Sequence, residues 1–252
     1  MSWNERADQM PPLKMLHTAD CHLGLDWDPP RAAEAFEALI DVALERQVDC
    51  MVIAGDFFDH GRIQQDTINF AAAQLNRLKV PCVVLPGNHD PMDAGSLYRR
   101  YDLEEMCPSV RVLTDPEGTF AVFPALNLSV WGRPTVDHHP AFRPLADMPP
   151  RRSGYWNVAI AHGLHVPYGE ITTGSSPISA GEIAAGGWDY VALGHVDDFM
   201  DVSCDSAIAY YSGSPLSLGG DGSRIGEAAL VSFDASAGIT VEHLTIPVPR
   251  QR

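Results

Sequence analysis

The chain's 252 residues suffice for one large core or two small ones, and 45% apolar residues with 21 Gly and 20 Pro describe a turn-rich globular protein rather than a disordered one. Lys+Arg total 17 against 33 Asp+Glu, a formal charge of −16, which argues against an autonomous duplex-binding module but leaves room for a nuclease whose acids hold cations or whose partner supplies basic surface. No apolar run approaches the roughly 18 residues of a membrane helix, and residues 1–12 lack the apolar centre of a signal peptide, so a cytoplasmic protein with no membrane association is expected.

Residues 13–19 alternate loosely and predict a first strand, followed by Asp20 and His22, which point the same way in extended backbone. Residues 31–47 predict an amphipathic helix, with Ala33, Phe36, Leu39, Ile40, Ala43 and Leu44 at helical spacing. Residues 48–54 predict a buried strand that breaks at Gly55-Asp56, where open α/β sheets place their chemistry. A helix over 64–79, a strand over 81–85 and a helix over 94–106 complete a β-α-β-α-β half, which implies parallel strands joined by right-handed crossovers.

The second half is richer in strands. Residues 111–113, 120–123, 126–131, 156–161, 188–193, 207–211, 228–233 and 239–246 read as strands, and 179–185 as a short helix. Residues 132–154, rich in Pro, Arg and His, read as a long surface loop. No repeat or linker interrupts the chain. The expected architecture is a single α/β domain over residues 1–252, with two sheets face to face and helices outside.

The five cysteines are scattered, odd in number and without a CxxC pair, so reduced thiols are expected rather than a disulfide framework or a cysteine zinc site. Cys21, between Asp20 and His22, invites a nucleophile reading, but no separate general base accompanies it. Polar groups gather instead at the predicted strand ends: Asp20 and His22, Asp56 and Asp59, Asn88-His89-Asp90, His162, and His195 with Asp197. Each has a local explanation as a turn, a helix cap or a hydrogen-bonded loop residue. Five such ends in one chain point to a shared site, and Asp, Asn and His suit borderline-to-hard divalent cations such as manganese, iron or zinc. His60, His138, His139, His165, Asp198 and Asp201 have no motif behind them and read as surface or loop residues.

As a set, Asp20-Cys21-His22, Gly55-Asp56-Phe57-Phe58-Asp59, Gly87-Asn88-His89-Asp90, His162 and Gly194-His195-Val196-Asp197 resemble the D-x-H, G-D-x-x-D, G-N-H-[D/E], H and G-H-x-H motifs of the calcineurin-like binuclear metallophosphoesterases. The opening Leu16-His17-Thr18-Ala19-Asp20-Cys21-His22-Leu23-Gly24 and the later Tyr211-Ser212-Gly213-Ser214-Pro215 look like the SbcD-type nuclease subunits of DNA double-strand-break repair complexes. The resemblance implies a four-layer α/β/β/α sandwich and two divalent metal ions, manganese foremost and magnesium, iron(II) or zinc as alternatives. It implies that Asp20, His22, Asp56 and Asp197 hold one ion and that Asp56, Asn88, His162 and His195 hold the other, with Asp56 bridging. It gives His89 the catalytic role, against charge on phosphorus or as acid to the leaving oxygen, and makes Asp59 and Asp90 groups that orient histidines. Asp59 is also placed to cap the following helix.

Two departures from the family pattern carry consequences. Asp197 stands where the family has His, which adds negative charge and is expected either to favour manganese or magnesium over zinc or, with the side chain displaced, to leave that site weak and activity low or absent. The chain closes at Pro247-Val248-Pro249-Arg250 soon after the core, so the capping domain and the segment that docks an SbcC-like ATPase are expected to be absent or reduced. The leading expectation is a metal-dependent phosphodiesterase acting on DNA as exo- or endonuclease. The alternatives are a phosphoesterase for cyclic nucleotides or phosphomonoesters, and a non-catalytic scaffold with the same fold.

Overall fold

The structure, a computed structural model, describes residues 10–26, 28–137, 139, 142–170, 176–216 and 225–247. The first half alternates as its periodicity predicts: β1 (Leu13–Thr18), α1 (Pro29–Arg46), β2 (Cys50–Ala54), α2 (Gln65–Leu78) and β3 (Cys82–Leu85). Next come two one-turn helices, α3 (Leu97–Arg100) and α4 (Leu103–Met106), and then β4 (Val110–Val112). The single helix expected over 94–106 is therefore broken. Tyr101 is extended between the two turns, and Ser96 and Asp102 cap them by accepting from the backbone N–H groups of Tyr98 and Glu105. Short polar side chains that bond nearby backbone outcompete helix propagation there.

The remainder runs β5 (Thr119–Phe123), a 3-10 turn (Pro124–Leu126), β6 (Leu128–Gly132), β7 (Trp156–His162), β8 (Leu164–Val166), β9 (Pro177–Ser179), α5 (Ala180–Ala185), β10 (Tyr190–Gly194), β11 (Phe199–Asp201), β12 (Ala209–Ser212), β13 (Ile225–Asp234) and β14 (Gly238–Pro247). The sequence does not predict the short strands β8, β9 and β11. At three residues each, they carry too few positions for an alternation to register.

Two six-stranded mixed sheets result, in the orders β14-β13-β1-β2-β3-β4 and β11-β12-β10-β7-β6-β5. Strands β1 to β4 are mutually parallel in the first sheet, as are β6, β7, β10 and β12 in the second. Antiparallel pairs close the edges.

The period of two in each strand sorts its side chains between layers. Val52 and Ala54 of β2, Val158 and Ile160 of β7, and Tyr190 and Ala192 of β10 meet in the inter-sheet core. Met51 and Ile53 face the other way, onto Phe36, Leu39 and Ile40 of α1 and Ile68 and Leu75 of α2. Ala159, Val191 and Leu193 pack outward with Trp131, Trp188 and Ile183 of α5. The layers are thus helix, sheet, sheet, helix, as the sequence predicts.

His17 is a polar residue inside this core, and both of its ring nitrogens have partners. Nδ1 lies 2.9 Å from the Tyr190 hydroxyl and Nε2 lies 3.2 Å from the Leu193 carbonyl, so the neutral ring accepts at one and donates at the other. Burial pulls its pKa down to about 3. The unfolded chain, titrating near 6.5, binds the extra proton first. The stabilisation is therefore complete above pH 6.5 and is lost as pH falls from there toward 3, by about 1.4 kcal/mol per unit at most. In urea titrations with a chelator present, His17→Leu is expected to be less stable than wild type at pH 7 and to lose less stability on acidification to pH 4.5. Equal slopes for the two proteins would show that His17 is not the group responsible.

Candidate metal centre

Because β1, β2 and β3 run parallel in one sheet and β7 and β10 run parallel in the other, the loops after these strands gather at one edge of the sandwich. Backbone bonds stitch the loops together. Asp20 N–H donates to the Gly55 carbonyl at 3.0 Å, His22 N–H to the Asp56 carbonyl at 3.1 Å, and Gly163 N–H to the Gly194 carbonyl at 3.2 Å. Four candidate ligands occupy left-handed backbone: Asp20 at φ 53°, His22 at 47°, Asp56 at 51° and His195 at 99°. Such conformations disfavour residues with a Cβ and persist only where surroundings enforce them, a mark of functional loops.

Two glycines leave room for the ligands. A Cβ on Gly55, itself at φ 94°, would fall 2.1 Å from Nδ1 of His162, and one on Gly87 would fall 2.2 Å from Oδ1 of Asp56. Any larger residue at either place displaces a ligand.

The side chains meet in an open pocket of about 330 Å³ lined by Asp20, His22, Leu25, Asp56, Asp59, Asn88, His89, His195 and Asp197, with His162 buried behind it. Ligand atoms of Asp20, His22 and Asp56 all lie within 4.8 Å of one another. Beside them, Nε2 of His162 is 2.8 Å from Oδ1 of Asn88 and 3.2 Å from Oδ2 of Asp56, and Nδ1 of His195 is 3.0 Å from the same Asn88 oxygen. Nδ1 of His162 lies 2.8 Å from the Ala54 carbonyl. With a proton on that nitrogen, Nε2 faces the Asn88 and Asp56 oxygens, where an ion would take the place of its proton. This donor set of carboxylate, amide and imidazole fits a pair of divalent ions.

The charges agree. Burial raises the carboxyl of Asp20 to about 8. Burial also pushes Asp56 upward, but the charge and hydrogen bond of His162 and the backbone N–H of His89 outweigh it and hold Asp56 well below the usual carboxylate range. His162 in turn is held up to about 10, the opposing effect of burial being overcome by Asp56 and then Asp20. Without metal the cluster balances its charge by keeping protons on Asp20 and His162. Divalent cations would displace them, so metal uptake releases protons.

Asp59 orients rather than caps. Its Oδ1 lies 2.9 Å from Nδ1 of His22, which leaves Nε2 of His22 toward the pocket, and its carbonyl accepts from Nδ1 of His89 at 2.8 Å. The helix α2 instead begins at Gln64 without a side-chain cap. His89 is exposed, packs edge-on against the His22 ring at 4.7 Å, and anchors its backbone N–H on Oδ1 of Asp56 at 2.8 Å.

Asp90 differs from expectation, because among the described residues its bonds go to no histidine side chain. Its buried carboxylate accepts from the backbone N–H of Gly87 at 2.7 Å, from that of Phe58 at 3.1 Å, and from the Tyr98 hydroxyl at 2.6 Å. It therefore ties the loop carrying Asn88 to the loop carrying Asp56.

Asp197 lines the pocket, and burial raises its carboxyl while His22 pulls the other way. Its carbonyl accepts from Ser214 N–H at 2.9 Å, and the Ser214 hydroxyl donates to the Asp20 carbonyl at 2.6 Å. The Tyr211 hydroxyl likewise donates to the Gly163 carbonyl at 2.7 Å, just past His162. The sequence stretch 211–215 therefore braces three ligand loops.

Among the residues read as unrelated to the site, His60 pairs with Asp26 at 3.2 Å and Asp201 accepts from Tyr210 and Ser203. His165 donates its backbone N–H to Tyr211, and His139 its own to Asp137. Asp198 is exposed, and His138 lies outside the described residues. Cys21 is buried with its thiol pushed well above the ordinary range by burial, which makes it a poor nucleophile. Tyr98 belongs to no motif in the sequence, and only the contact of its hydroxyl with Asp90 marks it.

The family profile of the calcineurin-like phosphoesterases matches residues 13–197, from the first strand through the last candidate ligand. The chain belongs to the calcineurin-like phosphoesterase family. Membership makes it a metal-dependent hydrolase by family. Two curated relatives are DNA double-strand break repair proteins Mre11. The one from Methanopyrus kandleri is 37% identical over 86 residues, 31% of this chain and 19% of that protein. The one from Sulfurisphaera tokodaii is 32% identical over 113 residues, 41% of this chain and 29% of that protein. The alignments thus span less than a third of either relative. Among solved structures, this phosphoesterase superposes on TT1561 of Thermus thermophilus with TM-score 0.63 at 14% identity, over 94% of this chain and 100% of that one. It superposes on a structure described as that of a novel archaeal phosphodiesterase with TM-score 0.52 at 14% identity, over 92% and 99% of the two chains. These likenesses concern the fold.

Proposed function

We propose that this phosphoesterase is a two-metal phosphodiesterase that cleaves DNA. The observation that carries the proposal is the convergence of two ligand sets on one open pocket with Asp56 common to both. Asp20, His22, Asp56 and Asp197 would hold one ion, and Asp56, Asn88, His162 and His195 the other. The ions, when bound, supply charge for the phosphoryl oxygens and a water acidified enough to attack near neutral pH.

The chain's own residues do the rest. Asp59 keeps the Nδ1 proton of His22 and so turns the other nitrogen inward. His89, its Nδ1–H held by the Asp59 carbonyl, keeps Nε2 free to stabilise charge on phosphorus or to protonate the leaving oxygen. Asp197 adds a carboxylate where an imidazole would be softer, which favours manganese or magnesium over zinc.

The likeness to the two Mre11 proteins supports DNA as substrate and an ATPase of the SbcC kind as partner, the latter supplying basic surface that a chain of net charge −16 lacks. The same charge favours the second reading, a small phosphate ester. The purified protein is to be given manganese, magnesium or zinc with single-stranded DNA, duplex DNA or bis-p-nitrophenyl phosphate. The expected result is DNA cleavage, fastest with manganese or magnesium and absent in Asp56→Asn. Turnover of the small ester alone would select the second reading, and no turnover with any metal would leave a scaffold.

A further inference from the structure

A second pocket, of about 490 Å³, opens beside the metal centre and has no part in the chemistry described so far. The two pockets share walls. Leu25 and Asp59 line the metal pocket, while their chain neighbours Gly24, Asp26 and His60 line the second, together with Arg62, Ile63, Gln64 and Thr67. Backbone pairing fixes this arrangement, with Leu23 N–H on the Phe57 carbonyl at 3.0 Å and Asp59 N–H on the Leu23 carbonyl at 3.1 Å.

The lining is that of a polar ligand with one flat, partly apolar face. Nδ1 of His60 accepts from Arg62 N–H at 3.1 Å, so Nε2 carries the proton and donates to Asp26 at 3.2 Å. The two bonds hold the imidazole as a fixed wall. Ile63 is the buried apolar surface, and Gln64 and Thr67 add an amide and a hydroxyl.

Two charged side chains line the pocket, Asp26, whose carboxylate accepts from His60, and Arg62. Elsewhere, five arginines, Arg46, Arg77, Arg111, Arg143 and Arg151, each pair with a carboxylate. No carboxylate pairs with the exposed Arg62 among the described residues, and Arg100 reaches the same loop to donate to the Gly61 carbonyl. A free guanidinium within one pocket of a phosphate-hydrolysing centre is built for a second phosphate.

We propose that this pocket binds the nucleotide next to the scissile phosphate, with its phosphate on Arg62 and its base between His60 and Ile63, facing Gln64 and Thr67. A base seated between these walls is turned away from a pairing partner, so the preferred substrate is single-stranded DNA or a frayed end rather than intact duplex. The proposal rests on the nuclease reading above.

The test compares wild type, Arg62→Ala and Arg62→Lys with manganese on a short single-stranded oligonucleotide and on bis-p-nitrophenyl phosphate, which carries no second phosphate for Arg62. Expected for Arg62→Ala is a fall of about tenfold in kcat/KM on the oligonucleotide, carried by KM, partial recovery in Arg62→Lys, and small-ester turnover within about twofold of wild type. A deoxynucleoside monophosphate should also inhibit small-ester turnover more weakly in Arg62→Ala, while inorganic phosphate inhibits both proteins alike. Equal losses on both substrates, or no loss on either, would overturn the subsite. A wild type that hydrolyses the small ester but no oligonucleotide would bring down the nuclease reading itself.

Discussion

Asp56→Asn is expected to lower phosphodiesterase turnover by roughly a thousandfold or more and to reduce bound metal at both positions together. The substitution keeps shape and removes charge. Asp56 is the carboxylate that lies near Asp20 and His22 on one side and near His162 on the other. A neutral amide offers only one ligating oxygen, so neither ion keeps its full set. Loss of several kcal/mol of charge stabilisation in the transition state corresponds to that fall in rate. The His89 N–H that Asp56 anchors also loses a charged acceptor, which loosens the catalytic loop. Metal content measured by mass spectrometry after dialysis is the direct readout, because it does not depend on knowing the substrate. A variant that retains one tightly held ion and a tenth of the activity would show that the two positions are filled independently of Asp56.

His89→Ala should separate chemistry from metal binding. The side chain hangs at the pocket mouth, and its Nδ1–H rests on the Asp59 carbonyl rather than on a ligand atom. Removing it is expected to cut kcat by about 10²–10⁴-fold, the usual range for a positioned acid or charge stabiliser, while metal content stays within about twofold. The leaving group distinguishes the two roles. p-Nitrophenolate departs without help, whereas a deoxyribose oxygen needs a proton. If His89 is the acid, the loss is much larger on DNA than on bis-p-nitrophenyl phosphate. If it only stabilises charge on phosphorus, the losses are similar. A large drop in bound metal would assign His89 as a ligand instead.

Much of the sandwich is legible in the sequence because parallel strands joined by helices leave strong local patterns, and because such sheets deliver polar residues at one edge. Asp20, Asp56, Asn88, His162 and His195 can each be picked out as a polar residue just past an apolar run. What is not legible depends on partners far away in the chain. Asp90 sits in the same loop as His89 and reads locally as the group that orients it, yet its bonds go to Gly87, Phe58 and Tyr98, and Phe58 is 32 residues away in the chain. Nothing local marks Ser214 as the brace of Asp20, 194 residues earlier. Asp59 has two local readings, and only its distance to His22 decides between them. The left-handed backbone at four ligands is hidden too, since neither Asp nor His requires it.

The Ser214 brace has a kinetic meaning. The centre draws on residue 20 at one end and leans on residue 214 at the other, and Glu227 of β13, the strand beside β1, donates its N–H to the Ser214 carbonyl. Contacts of such long sequence separation form late, because the loop they close costs entropy before it returns any contact. A chain still emerging from the ribosome would therefore have its acidic loops but no finished cage for ions. On the two-metal reading, tight metal capture would be the last event of folding, and an ion held at full affinity would report that the whole sandwich has closed.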